Sequence, residues 1–311
     1  MHSWVNRIEV IGAGAVGALY ASKLFDMDSS SVSLVAREER YKRLEEDGLI
    51  VNNRHYAFEV IHPDDTAPPP ALIIVAVKHH HLGDAIQDMA KRVGENTQIL
   101  STMNGIESEE MIGAVYGIER VLYGSAMKLF STRDKNRITV LQEGKLLFGE
   151  ADNATLSDRV RQVQALFQRA GIVHEIPEDM IRTIWLKFMI NVGINQVSAA
   201  VRATNAVLQS SKEAKELMVS AMREVLALAK AAGVHLREED IENFYPFLAS
   251  LSPEGKTSML QDVEARRKTE VEMFAGKVIE LGKSYDIPTP ANLTLFRVIK
   301  AIEKTFQSTR P

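Results

Sequence analysis

The sequence predicts an α/β fold, a Rossmann-type doubly wound sheet, followed by an all-helical C-terminal domain. Three observations predict it. Short β-branched runs alternate with helix-like stretches through the first half of the chain. A glycine-rich turn, Gly12-Ala13-Gly14-Ala15-Val16-Gly17, falls between the first run and an apolar-periodic helix. After Pro177 the strand pattern stops and helical periodicity replaces it. Strands alternating with helices specify βαβ units and a parallel sheet. The change of period places the domains at residues 1–176 and 177–311.

Taken in order, the expected strands are "RIEVIG" (7–12), "SVSLVA" (31–36), "ALIIVAV" (71–77), "TQILST" (97–102) and "VLYGSA" (121–126). The runs at 71–77 and 97–102 are apolar without strict alternation, as parallel strands covered on both faces require. "RITVLQ" (137–142) and "KLLFGE" (145–150) flank a turn at Gly144 and read as a hairpin added at the sheet edge. A helix near 155–170 and a short strand near 172–176 close the domain. Residues 178–232 are helical by pattern, with Gly233 as a C-terminal cap. "SPEG" (252–255) breaks the pattern, a helix follows from about 258 to 284, "DIPTP" (286–290) interrupts, and a last helix ends the chain. A helical domain beside a nucleotide-binding one makes a cleft, where small-molecule sites concentrate.

The 311 residues exceed one ordinary core and suit two domains. With 45% hydrophobic and 25% charged residues the composition is globular. A net charge of −4 with mixed signs leaves no electrostatic footprint for nucleic acid. Cysteine is absent, which excludes disulfides and thiolate catalysis and fits a reducing compartment. No apolar run approaches the ~18 residues of a membrane span, and "MHSWVNRIEV" lacks the apolar core of a signal peptide. The expectation is a soluble, cytoplasmic protein without a membrane partner.

The glycine turn fits a dinucleotide fingerprint. Gly12 permits the tight turn, Gly14 lets the backbone approach a pyrophosphate, and Gly17 lets the helix pack on its strand. The helix N-terminus, with Ala15 and Val16 in its first turn, offers N–H groups to the phosphates. The second strand ends at Arg37, where NAD sites place an acid for the ribose 2′-hydroxyl. A guanidinium there suits a 2′-phosphate, so NADP(H) is the expected cofactor; a solvated surface arginine is the alternative. Lys78 and Asn104 follow the third and fourth strands at the carboxyl edge, where open α/β sheets bind ligands. His79–His81 invite a metal reading, but adjacent helical residues point apart, so no metal site is expected and a polar first helical turn is.

The strongest signal in the second half is "IWLKFMINVGINQVSAA" (184–200). Lys187, Asn191 and Asn195 recur at i, i+4 and i+8, one face of a helix that drifts by about 40° per step. The surrounding side chains are apolar, so the helix is buried and its polar row needs partners. Two readings stay open: a structural network between helices, or a cleft wall carrying one cation and two carboxamides. The second suits ketone reduction, since an ammonium can stabilise the charge growing on oxygen and deliver the proton. "EARRK" (264–268) is either a solvated helix face or a place where Arg266 or Arg267 reaches a phosphate or carboxylate.

Together "GAGAVG", "VK" after the third strand, "MNG", "WLKFMINVGINQ" and "TSMLQDVEARRKTE" resemble the ketopantoate reductase family (2-dehydropantoate 2-reductases), from the first strand to the last helix. The resemblance implies NADPH-dependent reduction of a 2-keto acid to a 2-hydroxy acid, with pantothenate biosynthesis as the pathway. It implies Lys187 as general acid and Glu270 as the acidic partner near the reacting centre. It implies Asn191, Asn195 and Ser258 as substrate contacts, and Lys78 and Asn104 as cofactor-side residues. Ser258 and Glu270 would lie about 18 Å apart along one straight helix, so Glu270 rests on the resemblance alone. The family's ketopantoate enzymes carry an asparagine three positions before the serine; here that position is Gly255. A paralogous reductase of another 2-keto acid is therefore an alternative, as is a nucleotide-binding sensor without turnover. A helical second domain often serves association, and a homodimer is among the expectations.

Overall fold

The first parallel strands build a layer buried on both faces, as their apolar runs require. A computed structural model describes residues 7–306. The chain divides into two units, which part between Met180 and Ile181.

The first unit contains β1 (Ile8–Ile11), α1 (Ala15–Met27), β2 (Val32–Val35), α2 (Glu38–Asp47), β3 (Leu49–Val51), β4 (Arg54–Tyr56), β5 (Glu59–Ile61) and β6 (Leu72–Val75). There follow α3 (Leu82–Asp88), β7 (Gln98–Ser101), α4 (Ser108–Tyr116), β8 (Val121–Met127), β9 (Phe130–Asp134), β10 (Arg137–Gln142), β11 (Lys145–Gly149), α5 (Asp158–Arg169) and β12 (His174–Glu175). Eight strands form the main sheet in the order β12-β11-β8-β7-β6-β1-β2-β5. From β8 to β5 all neighbours are parallel. Successive side chains on a strand point to opposite faces, and both faces here are apolar. Ile8, Val10, Leu72 and Ile74 join a core with α1 and α5, while Ile11, Ile73, Val75 and Ile99 join another with α3 and α4. β1 also carries a fully buried carboxylate, Glu9, matched by the equally buried Arg92, whose Nε donates to it at 3.0 Å.

The predicted hairpin at 137–150 is not formed. β10 pairs with β9 and β3 in a separate four-stranded sheet, order β4-β3-β10-β9. β11 pairs with β8 and β12 in the main sheet. Gly144 has φ +63, and a Cβ there would stand 2.0 Å from the Met127 carbonyl oxygen. The turn thus passes the chain tightly across the end of β8, from one sheet to the other. Burial follows the same division: β10 is mostly exposed, whereas β11 is almost wholly buried.

The second unit is helical: α6 (Met180–Val201), α7 (Asn205–Ser210), α8 (Lys212–Ala231), α9 (Glu238–Glu242), α10 (Phe244–Ser250), α11 (Ser258–Glu264), α12 (Lys277–Ser284) and α13 (Pro290–Thr305). The helical stretch after 178 is interrupted twice, at Arg202 with φ +52 and at Ser211, whose hydroxyl caps α8 by accepting from the Ala214 N–H. α6 is long and apolar enough to cross a membrane by length and composition, yet 67% of its most apolar window is buried inside the protein. A Cβ on Gly193 would lie 2.4 Å from Met222 Cε, so glycine lets α6 and α8 approach closely. Gln196 Nε2 donates to Asn292 Oδ1 at 3.0 Å, and Asn292 Nδ2 donates to Glu224 at 2.7 Å. This network ties α6, α13 and α8 together.

The expected helix over 258–284 is also divided. α11 stops at Glu264, with Arg266 at φ +53 and the Arg267 N–H donating back to the Asp262 carbonyl at 2.8 Å. That is a helix-ending wrap usually marked by glycine; an arginine in its place gave no sequence signal. The chain restarts near Thr269, passes through a π-helical turn at Glu272–Gly276, and continues as α12. The straight-helix separation of Ser258 from Glu270 therefore does not apply.

Candidate functional site

In the first unit the expected cofactor residues occupy neighbouring strand ends. β7, β6, β1 and β2 are consecutive in the sheet. Their carboxyl ends lead, in that order, to Asn104, Lys78, the glycine turn and Arg37. The chain leaves β1 for β2 on one side and later returns to β6 on the other. Such a reversal of strand order opens the crevice in which doubly wound sheets bind ligands.

The glycines divide by role. Gly12 has φ +104, and a Cβ on it would meet the Ala76 carbonyl oxygen at 2.5 Å; one on Gly17 would stand 2.0 Å from Gly12 O. Both are demanded by the fold. A Cβ on Gly14 would meet nothing nearer than 3.9 Å. Its missing side chain leaves open space at the N-cap of α1, where no side chain caps the helix. Uncapped N–H groups beside such space fit a pyrophosphate. Arg133, on β9, brings Nη1 to 4.0 Å from that same Cβ position. Sequence reasoning missed Arg133, which is remote in sequence and sits on a strand the pattern did not reveal.

Arg37 stands at the N-cap position of α2 and meets two carboxylates: its Nε donates to Asp88, and Nη1 donates to Asp64 at 3.2 Å. Lys78 is half-buried and precedes a 3₁₀ turn formed by His79–His81, the polar first turn expected there. His79 Nε2 lies 3.4 Å from a Glu107 carboxylate oxygen, linking the loops that carry Lys78 and Asn104. Gly105, at φ +98, gives the second loop its turn. Beneath that loop the Ser101 and Ser108 hydroxyls are 2.8 Å apart, and Ser108 donates to Glu109 at 2.8 Å. Burial pushes the Glu109 carboxyl up to about 7, against the lowering effect of the Ser108 hydroxyl.

In the second unit α6 carries Lys187, Asn191 and Asn195, the first two half-buried and the third buried. Asn195 Nδ2 donates to Asn191 Oδ1 at 3.1 Å. The Ser258 hydroxyl, at the start of α11, donates to Asn195 Oδ1 at 3.0 Å. The structure thus joins Asn191, Asn195 and Ser258 in one chain, with Lys187 a helical turn before it. Thr257 places Ser258 by capping α11, its hydroxyl accepting from the Leu260 N–H at 3.2 Å. Glu270 is buried just after the break that ends α11. Arg267, just past the end of α11, is engaged by Asp262 of that helix at 3.0 Å. Gly255 packs under Asn205: a Cβ there would be 2.6 Å from Asn205 Nδ2, and the Asn205 N–H donates to Gly255 O at 3.0 Å.

Comparison with known proteins gives one consistent result. Residues 8–153 match the family model described as "Ketopantoate reductase PanE/ApbA", and residues 179–303 match its C-terminal counterpart. A 2-dehydropantoate 2-reductase of Pyrococcus horikoshii is 27% identical over 298 residues, covering 96% of this chain and 97% of the relative. Among solved structures, 2-dehydropantoate 2-reductase from Geobacter metallireducens superposes with a TM-score of 0.84 at 25% identity, covering 95% of this chain and 99% of that one. A D-mandelate dehydrogenase solved with NADH and anilino(oxo)acetate has a TM-score of 0.88 at 20% identity, over 96% and 99% of the two chains, a likeness of fold.

Proposed function

The chain belongs to the ketopantoate reductase family, and from that premise we propose that it reduces 2-dehydropantoate to pantoate with NADPH, with Lys187 as general acid. Pantothenate biosynthesis is the pathway, and the cytoplasm the expected setting. The observation that supports this most is the row on α6: one lysine, then two carboxamides and a serine hydroxyl joined by hydrogen bonds.

The chemistry that a nicotinamide held by the first unit would supply is hydride for the keto carbon. Negative charge then develops on the keto oxygen. The Lys187 ammonium stabilises it and delivers the proton that completes the alcohol. Asn191 and Asn195 orient the 2-keto acid through carboxamide hydrogen bonds, and Ser258 adds a hydroxyl to the same set. Glu270 is the acidic partner of the reacting centre. Gly14, Ala15 and Val16 would hold the pyrophosphate at the turn that Gly12 and Gly17 shape, Arg37 would read the 2′-phosphate, and Lys78 and Asn104 would serve the nicotinamide end. The substrate partner is a small 2-keto acid, and a homodimer remains part of the proposal.

A second reading is favoured by Gly255. Position 255 is a glycine packed against Asn205, so it offers no carboxamide to a substrate. A paralogous reductase of another 2-keto acid would have this feature. Steady-state kinetics separate the two. Ketopantoate and other branched 2-keto acids are compared with NADPH and with NADH. The highest kcat/KM on ketopantoate supports the first reading, and a higher value on another 2-keto acid supports the second. Turnover of none of them, with dinucleotide binding intact, leaves a non-catalytic sensor.

A further inference from the structure

We propose that Asp88 and Asp64 are specificity-determining residues for the cofactor, setting NADPH against NADH by caging the Arg37 guanidinium. The inference rests on the reading of Arg37 as the group that meets a 2′-phosphate.

Arg37 stands at the end of β2, yet its Nε and Nη1 are already engaged by Asp88 and Asp64. Asp88 lies at the C-terminal end of α3, with its side chain 14% exposed; Asp64 follows β5 and is 57% exposed. Asp64 is itself shared with Lys91 Nζ at 3.5 Å and His62 Nδ1 at 3.6 Å. Glu38 and Glu39 add two exposed carboxylates in the first turn of α2. The arginine therefore does not offer an isolated positive charge.

A phosphate dianion gains most from arginine when it takes two parallel N–H bonds. Here it must displace a carboxylate from that fork or accept repulsion from the two already there. A ribose bearing a free 2′-hydroxyl meets the opposite balance. It can donate to a carboxylate, which is how acids at this strand end select NADH. The cage thus lowers the advantage of NADPH while leaving NADH unaffected or favoured, and the chain discriminates narrowly between them.

The test is isothermal titration calorimetry of NADPH and NADH into the whole protein without substrate. It compares wild type, Asp88→Asn, Asp64→Asn and Arg37→Ala/Asp88→Asn. Asp64→Asn changes an exposed side chain, so the inference stays testable if Asp88→Asn folds poorly. Either single change should tighten NADPH by about three- to tenfold, as removal of a nearby like charge predicts, and leave NADH within about twofold. Without Arg37, Asp88→Asn should lose most of that gain. An unchanged or lower NADPH preference in both single variants overturns the proposal and leaves the reductase reading standing. Binding of neither dinucleotide by the wild type overturns both.

Discussion

The Ser258 hydroxyl donates to the Asn195 carboxamide oxygen at 3.0 Å, so the end of the polar row on α6 supplies the acceptor for the first residue of α11. The Met259 N–H reaches the same oxygen at 3.4 Å, and Asn195 Nδ2 is turned toward Asn191. Asn195 therefore fixes both its neighbours. Asn195→Ala should raise KM for the 2-keto acid by about tenfold, as expected for one lost buried polar partner. Ser258→Ala should have a smaller effect in the same direction. KM at saturating dinucleotide checks this, and unchanged values in both variants would remove the pair from the substrate site.

The glycine turn separates fold from binding. Gly17→Ala drives a Cβ into the Gly12 carbonyl and should lower Tm and folded yield. Gly14→Ala enters open space and should leave Tm close to that of the wild type while weakening NADPH and NADH alike. Thermal melts beside dinucleotide titrations read the two effects independently.

Arg133 approaches the turn from the second sheet of its unit. A cation beside a pyrophosphate acts on both cofactors, because both carry that group. Arg133→Ala should weaken NADPH and NADH by the same factor, about three- to tenfold. Selective loss of NADPH would instead assign Arg133 to the 2′-phosphate.

Glu109 gives the stability a pH dependence. Its carboxyl rises from 4.5 to about 7 on folding because it is buried. Between those values the unfolded chain has released the proton and the folded one has kept it, so stability falls as pH rises and levels off above about 7. The full difference is on the order of 3 kcal/mol. Glu109→Gln keeps an acceptor for Ser108 and removes the titration. Relative to wild type it should gain stability between pH 4.5 and 8 in urea melts; a parallel pair of curves would contradict the assignment.

The sequence revealed most where one local rule was enough. Parallel strands buried on both faces, such as Leu72–Val75 and Gln98–Ser101, announce themselves by continuous apolar runs. The i, i+4, i+8 row on α6 is visible because helical spacing places it on one face, and the Asn195–Asn191 bond follows from that spacing. Ser258 joins the row only through the folding of α11 against α6, which no periodicity encodes. Arg133, Asp64 and Asp88 were invisible for the same reason: each reaches the glycine turn or Arg37 across long sequence separations. The hairpin expectation at 137–150 failed because adjacent strands found partners in different sheets, β10 with β9 and β11 with β8. The helix break at Arg266 was hidden because a left-handed arginine took the place where glycine is usual.

If Lys187 supplies the proton for 2-keto acid reduction, turnover by Lys187→Ala, measured beside its dinucleotide affinity, reads that role. Loss of the ammonium should lower kcat by about 10²- to 10⁴-fold and leave NADPH binding within about twofold of wild type. A kcat close to that of the wild type would contradict that role.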